Sequence, residues 1–146
     1  MKYLVDTNVL LRSIQRTHAM HADAGRVTAL LTRQGDELSI IAQNLIEFWA
    51  VATRPVVGNG LGLSVPEALG HVRTFKIVFS LLPDTSEILG EWERLVENHQ
   101  VLGRQVYDAR LVAAMGVHKV THLLTFNDAD CKRFTEITVV NPANIA

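Results

Sequence analysis

Polar side chains that could act together chemically occur at four separate places in this chain. They are, in chain order, Asp6, Glu47, Asp108 and the pair Asn127 and Asp128. Carboxylates that converge in one cleft repel each other and therefore require a cation. Because no cysteine or histidine has zinc-site spacing, oxygen ligands of this kind favour Mg²⁺ or Mn²⁺. Such a site suits phosphodiester hydrolysis, since the metal activates a water molecule and stabilises the leaving oxygen.

Asp6 directly follows a short apolar run, residues 2–5, which predicts a buried strand. In an open parallel sheet, ligands bind outside the carboxyl ends of the strands, which is where Asp6 would lie. Aspartate is also a common helix N-cap, so a purely structural capping role for Asp6 stays open.

Glu47 is the only charged residue in the apolar stretch from Ala42 to Ala52. A helix that is apolar nearly all round should be largely buried. A buried carboxylate must be neutralised, paired or bound to a metal. The ordinary alternative to a metal is an ion pair with Arg54.

The other acidic positions each have a simple structural explanation. Asp108 opens a helical stretch, where a negative charge interacts favourably with the helix dipole. Asn127 and Asp128 lie in the segment from Thr125 to Asp130, where asparagine and aspartate are common turn formers. Only the convergence of these groups with Asp6 and Glu47 would make them a site.

The elements that must position these groups alternate between short apolar runs and helical stretches. Strands are predicted at residues 2–5, 37–41, within 76–83, 122–125 and 137–140. Helices are predicted at residues 8–14, 18–33, 43–53 and 107–115, the last with Gly116 as its C′ residue. Two further helices are predicted, one that begins at Ser64 and one that runs from the capping sequence 84–87 to about residue 100. Residues 56–63 are predicted to form a glycine-rich loop. Strands separated by long helical segments indicate a parallel sheet. We therefore predict one domain, residues 1–146, of three-layer α/β/α class.

Composition limits the possible partners. The 146 residues include 14 basic and 15 acidic side chains, a net charge of -1. This balance excludes nucleic-acid binding by bulk charge but allows a local basic groove. Cys131 is the only cysteine, so a reducing cytoplasmic setting is expected. No apolar run is long enough for a membrane span, and no membrane partner is expected.

Motifs of several other α/β enzymes are missing from the sequence. It has no Gly-x-x-x-x-Gly-Lys-Ser/Thr phosphate loop and no Gly-x-Gly-x-x-Gly after the first strand. It also lacks the Gly-x-Ser-x-Gly nucleophile elbow.

The ordered set of motifs is similar to a known family. The motifs are Asp6-Thr7-Asn8, Asn44-Leu45-Ile46-Glu47-Phe48, Asp108-Ala109-Arg110-Leu111-Val112-Ala113-Ala114 and Leu123-Leu124-Thr125-Phe126-Asn127. Across essentially the whole chain they resemble the PIN domain, and more narrowly the VapC-type ribonuclease toxins of bacterial toxin–antitoxin pairs.

This resemblance implies a parallel sheet flanked by helices and a Mg²⁺-dependent endoribonuclease, with Mn²⁺ as a possible substitute. It also implies an RNA substrate, a cognate antitoxin and a homodimer. A PIN-like module that binds RNA or protein without cutting is the alternative.

Carried over residue by residue, the resemblance assigns the three metal-binding acids to Asp6, Glu47 and Asp108. The fourth catalytic position falls on Asn127; whether Asn127, Asp128 or Asp130 completes the site stays open. The resemblance further implies that the carboxylates are oriented by Thr7, Asn8 and Thr125.

Overall fold

The computed structural model describes all residues from Met1 to Ala146. Its sheet contains β1 (Lys2–Val5), β2 (Glu37–Ile41), β3 (Ser80–Leu82), β4 (His122–Leu124) and β5 (Thr138–Val140). The strand order is β3-β2-β1-β4-β5, and every neighbouring pair is parallel. The predicted parallel sheet is therefore confirmed, with β1 at its centre.

Seven α-helices connect and cover the strands. They are α1 (Thr7–Ile14), α2 (His21–Arg33), α3 (Ala42–Thr53), α4 (Val65–Val78), α5 (Glu87–Asn98), α6 (Val106–His118) and α7 (Asp128–Cys131). Short 3-10 turns occur at residues 56–58, 103–105 and 142–144. None of the helices combines the length and apolar character that a membrane crossing requires.

Side chains alternate between the two faces of the sheet and so divide the core into two halves. In β1, Tyr3 and Val5 pack into the cluster formed with α1 to α4, whereas Leu4 packs into the cluster with α5 to α7. In β4, Leu124 belongs to the first cluster and Leu123 to the second. This period of two is what a strand buried on both faces produces. The three-layer α/β/α class is confirmed.

The strand order reverses between β1 and β4, since β2 and β3 lie on one side of this pair and β5 on the other. Val5 pairs with Leu124 at the end of the two strands, so the next residues, Asp6 and Thr125, leave the sheet side by side. A reversal of this kind opens a crevice at the carboxyl edge.

The glycine-rich segment after α3 folds back onto the end of that helix. Leu61 N–H donates to Val51 O at 3.1 Å, and Leu63 N–H donates to Ala52 O at 2.9 Å. Gly60 passes so close that a Cβ built on it would lie 1.9 Å from the Arg54 carbonyl oxygen. Only glycine fits there, because any side chain would collide with backbone.

Several predicted boundaries are wrong. The last long helix does not end before Gly116: α6 continues to His118, and Lys119 takes the left-handed conformation with φ 57°. Helix α5 begins at Glu87 after Ser86, so the proposed capping pair of Asp84 and Glu87 does not start it. By contrast, the predicted capping box of α4 is present.

Two further differences concern the site. Helix α3 is not buried all round, because Ile46 is 69% exposed, and only one side of α3 packs on the core. In the segment after β4 where a turn is the ordinary interpretation, the residues from Asp128 instead begin the short helix α7, while Asn127 stays outside it. Two more differences lie away from the site. Helix α2 begins at His21 rather than at His18, and the strand predicted within residues 76–83 is confined to Ser80–Leu82.

Candidate active site

Asp6 lies at the crevice between β1 and β4 and is only 7% exposed. Its Oδ1 accepts the Thr7 backbone N–H at 2.7 Å, which makes Asp6 the N-cap of α1. Its Oδ2 accepts the hydroxyl of Thr125 at 2.8 Å and the Asn8 amide at 3.4 Å. Asp6 therefore caps α1 and also lies at the carboxyl edge of the sheet, so the two roles do not exclude each other.

Burial raises the pKa of Asp6, because removal from water penalises the charged form. The hydrogen bonds from Thr125 and from the Thr7 N–H act against this rise, and the charge of Glu47 adds to it. Asp6 thus sits where a negative charge is costly unless donors or a cation compensate.

Asn8 and Thr125 join the ends of β1 and β4 above Asp6. The Asn8 amide donates to Thr125 Oγ1 at 3.0 Å, and Asn8 Oδ1 accepts the Phe126 N–H at 3.1 Å. The Asn127 N–H also donates to Thr125 Oγ1, at 3.0 Å. These contacts confirm that Asn8 and Thr125 orient the Asp6 carboxylate.

Glu47 projects from α3 towards the same edge and is partly buried. The Thr7 hydroxyl donates to Glu47 Oε2 at 2.9 Å, and the Gln43 amide donates to Glu47 Oε1 at 2.8 Å. The predicted orienting role of Thr7 is thus confirmed for Glu47. Because both carboxylate oxygens are held by neutral donors, Glu47 is not explained by an ion pair with Arg54.

Asp108 lies in the first turn of α6 and is partly buried. Its pKa is raised to about 6, first by burial and then by the negative charges of Asp6, Glu47 and Asp130. No hydrogen bond offsets these effects. Asp108 is therefore the acid whose charge is least compensated by the protein itself.

The candidates for the fourth position differ in their surroundings. Asn127 is exposed and precedes α7. Asp128 accepts the Asn141 amide at 3.0 Å and lies 3.5 Å from the Lys132 ammonium, and these partners lower its pKa. Asp130 is exposed, yet its charge raises the pKa of Asp108. Of the two nearby aspartates, Asp130 is thus the one electrostatically coupled to Asp108.

Two polar residues at the start of α3 were missed in the sequence. Asn44 Oδ1 accepts the Ile41 N–H at 2.9 Å, and its amide donates to Thr7 Oγ1 at 3.4 Å. Gln43 bonds to Glu47, its neighbour one helical turn away. The spacing of four residues between Gln43 and Glu47 was visible in the sequence, since it places them on one helix face.

A cavity of about 390 Å³ opens beside these acids. Its lining includes two acidic side chains, Glu47 and Asp108, and two basic side chains, Arg54 and Arg104. The hydroxyl-bearing residues Thr7 and Tyr107 also line it. The two arginines can bind phosphate oxygens in a bidentate manner, while the acids can bind a cation. The cavity therefore has the charge distribution needed for a metal and a polyanion together.

The donor set fits Mg²⁺ in its chemistry, because every candidate ligand offers carboxylate or amide oxygen. No group of three or more histidine, cysteine, aspartate or glutamate side chains is arranged closely enough to enclose a metal ion. Mg²⁺ commonly takes only one or two carboxylates and keeps several waters. Binding by Asp6, Glu47 and Asp108 stays a prediction.

The PIN domain family model matches residues 3–137. Similar solved structures include VapBC2 from Rickettsia felis, bound to a promoter DNA fragment, with 15% identity, TM-score 0.72, and 97% of this chain and 98% of that chain covered. VapBC from Salmonella typhimurium, also DNA-bound, has 17% identity, TM-score 0.72 and coverage of 97% and 98%.

VapC20 from Mycobacterium tuberculosis, a toxin that cleaves the sarcin–ricin loop, has 18% identity and TM-score 0.60, with 83% of this chain and 86% of that chain covered. At such identities the likeness establishes the fold alone. A comparison with curated proteins found no match.

Proposed function

Because the chain belongs to the PIN domain family, we propose that it is a Mg²⁺-dependent endoribonuclease, the toxin of a toxin–antitoxin pair. The observation that carries the proposal is the closeness of the acids: Thr7 contacts both Asp6 and Glu47, and Glu47 and Asp108 line one cavity, with the raised pKa of Asp108 as additional support. That pKa of about 6 reflects burial and three neighbouring carboxylates at one edge of the sheet. A divalent cation would relieve that repulsion and would stabilise the ionised carboxylates.

Asp6, Glu47 and Asp108 would hold the ion, with Asn127, Asp128 or Asp130 assisting. When bound, Mg²⁺ activates water and stabilises the leaving oxygen of the phosphodiester; Mn²⁺ has similar ligand preferences. Thr7 and Thr125 keep the carboxylates in place through their hydroxyl groups.

Arg54 and Arg104, on the wall of the same cavity, bind and orient the RNA phosphates. Arg54 directly follows α3, which carries Glu47, and Arg104 lies just before α6, which carries Asp108, so each arginine lines the cavity beside one of these acids. This local basic pair supplies the contact that the net charge of -1 cannot.

The proposed biological setting follows from the structural neighbours. VapBC2 of Rickettsia felis and VapBC of Salmonella typhimurium are complexes on DNA. By analogy, this chain would act in the cytoplasm as a homodimer and would be restrained by a cognate antitoxin. VapC20, a toxin that cleaves the sarcin–ricin loop, supports RNA as the substrate.

The test is cleavage of a panel of structured RNAs by the purified protein in Mg²⁺, in Mn²⁺ and in EDTA. We expect cleavage with either metal, none in EDTA, and a loss of at least about 100-fold in Asp6→Asn. Asp23→Asn is the matched control, because Asp23 is a surface acid paired with Arg26. It should cleave like the parent protein.

Equal cleavage in EDTA, or full activity of Asp6→Asn, would overturn the proposal. Tight RNA binding without cleavage in either metal would instead favour a PIN-like module that binds RNA and does not cut it.

A further inference from the structure

Gln43 connects the two helices that carry Glu47 and Asp108. Its amide nitrogen donates to Glu47 Oε1 at 2.8 Å, within α3. The same nitrogen donates to the backbone carbonyl of Tyr107 at 2.9 Å, in the first turn of α6 and one residue before Asp108. A single side-chain amide therefore contacts both the Glu47 carboxylate and the first turn of α6.

Arg110 fixes which way this amide faces. Its Nη1 donates to Gln43 Oε1 at 3.0 Å, and its Nη2 lies 3.3 Å from Asp84 Oδ1. Arginine can only donate, so the Gln43 oxygen must face Arg110. The amide nitrogen is then left to face the Glu47 carboxylate and the Tyr107 carbonyl, both of which only accept.

The surroundings of Gln43 make this orientation stable. The residue is 8% exposed, and both amide hydrogens and the amide oxygen have partners. A buried polar group with every partner in place resists rotation, because any other orientation would leave donors unpaired. Glu47 is thereby held at Oε1 by Gln43 and at Oε2 by Thr7.

We propose that Gln43 is a positioning residue that keeps the Glu47 carboxylate at a fixed position relative to Asp108. Arg110 acts on Glu47 only through its hydrogen bond to Gln43. The inference rests on the proposed function, which makes these two acids metal ligands. Groups that hydrogen-bond a metal-binding side chain without touching the metal commonly contribute 10- to 100-fold to metal affinity or activity.

The experiment compares Gln43→Met with the parent protein. Methionine is close to glutamine in length and volume but cannot donate a hydrogen bond. The readouts are the dissociation constant of Mn²⁺ by calorimetry, kcat and KM for RNA cleavage, and the folded fraction by circular dichroism in EDTA. We expect Mn²⁺ binding and kcat each to fall about 10- to 100-fold, with KM changed by less than about threefold.

Gln15→Met is the matched control. Gln15 also accepts a hydrogen bond from an arginine, Arg12, at 2.6 Å, but it lies at the opposite end of α1 from Asp6. The same substitution there removes a Gln–Arg contact without touching Glu47. Mn²⁺ affinity, kcat and KM should stay within about twofold of the parent values, since this partly buried contact touches none of the proposed metal ligands.

Arg110→Met tests the second half of the inference and does not depend on Gln43→Met folding well. Alone it should weaken Mn²⁺ binding and kcat, because the buried Gln43 oxygen loses its donor and the side chain that holds Glu47 is fixed less firmly. Combined with Gln43→Met it should add no further loss, since residues that act through one another are not additive.

Parent-like Mn²⁺ affinity and kcat in Gln43→Met would overturn the inference while leaving the proposed function intact. An equal loss from Arg110→Met in both backgrounds would overturn the role assigned to Arg110. A parent protein that neither cleaves RNA nor binds Mn²⁺ would overturn the proposed function, and this inference with it.

Discussion

The hydroxyl of Thr125 donates to Oδ2 of Asp6 at 2.8 Å, although 119 residues separate them in sequence. Thr125 is fully buried, and its hydroxyl oxygen accepts hydrogen bonds from the side-chain amide of Asn8 and from the backbone N–H of Asn127. One hydroxyl therefore satisfies a carboxylate, a side-chain amide and a backbone donor. This makes Thr125 the central hydrogen-bonding group between the ends of β1 and β4.

Thr125→Val should destabilise the protein and reduce cleavage. Valine keeps the shape of threonine but removes the hydroxyl that donates to Asp6 and accepts from Asn8 and Asn127, so Asp6 Oδ2 keeps only the longer contact with the Asn8 amide and the Asn127 N–H loses its acceptor. We expect the free energy of unfolding to fall by about 1–3 kcal/mol. Cleavage should fall about 10- to 100-fold, because Asp6 loses a group that orients it. Urea unfolding and RNA cleavage measure the two effects.

Thr138→Val is the control for that experiment, because Thr138 is exposed on β5. It should change the free energy of unfolding by less than about 0.5 kcal/mol. Equal stability of Thr125→Val and Thr138→Val would contradict the central role of Thr125.

Asp108→Asn should stabilise the metal-free protein at neutral pH. The pKa of Asp108 rises from its ordinary value of 3.8 to about 6 in the folded state, so folding disfavours the ionised form relative to the unfolded chain. Replacing the carboxylate by an amide removes the repulsion from Asp6, Glu47 and Asp130. We expect a gain of about 1 kcal/mol at pH 7 in EDTA, after allowance for solvent screening. Urea unfolding measures it.

The gain should depend on pH in a definite direction. Between about pH 4 and pH 6 the folded state binds more protons at Asp108 than the unfolded chain, so the parent protein loses stability as pH rises through this window. Asp108→Asn lacks this loss, and the two proteins should therefore converge below about pH 4. A stability difference that stays constant from pH 4 to pH 7 would show that charge is not its source.

Cys131 should be unreactive in the folded protein. It is fully buried in α7, and burial together with the charges of Asp108 and Asp6 raises the pKa of its thiol. Because the thiolate is the reactive form, iodoacetamide at pH 8 should modify the folded chain at least about 100-fold more slowly than the urea-unfolded chain. Mass spectrometry follows the reaction. Similar rates in both states would mean that α7 opens readily.

Gly60→Ala should destabilise the protein, since the new Cβ would lie 1.9 Å from the Arg54 carbonyl oxygen. The segment must then move away from the end of α3, and we expect a loss of about 1–3 kcal/mol. Gly70→Ala is the matched control, because Gly70 lies within α4 with no atom near its Cβ position. It should add about 0.5–1 kcal/mol through helix propensity. Thermal unfolding of both variants would distinguish the sites, and a stable Gly60→Ala would refute the close approach.

The parts of the site that sequence could predict are those fixed by strand ends. Asp6 follows an apolar run, and Thr125 follows another, so a parallel sheet necessarily places both at its carboxyl edge. The bounds of β1, β2 and α1 follow from equally local patterns. These features need no knowledge of how distant segments pack.

The parts that sequence could not predict depend on partners far away in the chain. Nothing in the local sequence distinguishes Gln43 from any other polar helix residue. Its hydrogen bonds to Arg110 and to the Tyr107 carbonyl form only when tertiary packing brings α6 close to α3. The end of α6 was misplaced for a related reason. Gly116 is a common stop, but its Cβ position faces Glu91 of α5, and packing on α5 carries the helix two residues further.

The central position of β1 has a consequence for the order in which the protein is made. Synthesis proceeds from the N-terminus, and β1 emerges before the other four strands of the sheet, yet β4, its neighbour on one side, begins only at His122. A growing chain can therefore form the half of the sheet with β2 and β3 long before Thr125 exists to bind Asp6. The acidic edge is completed only when β4 and Thr125 have been added, so a chain released before that point would lack a formed site.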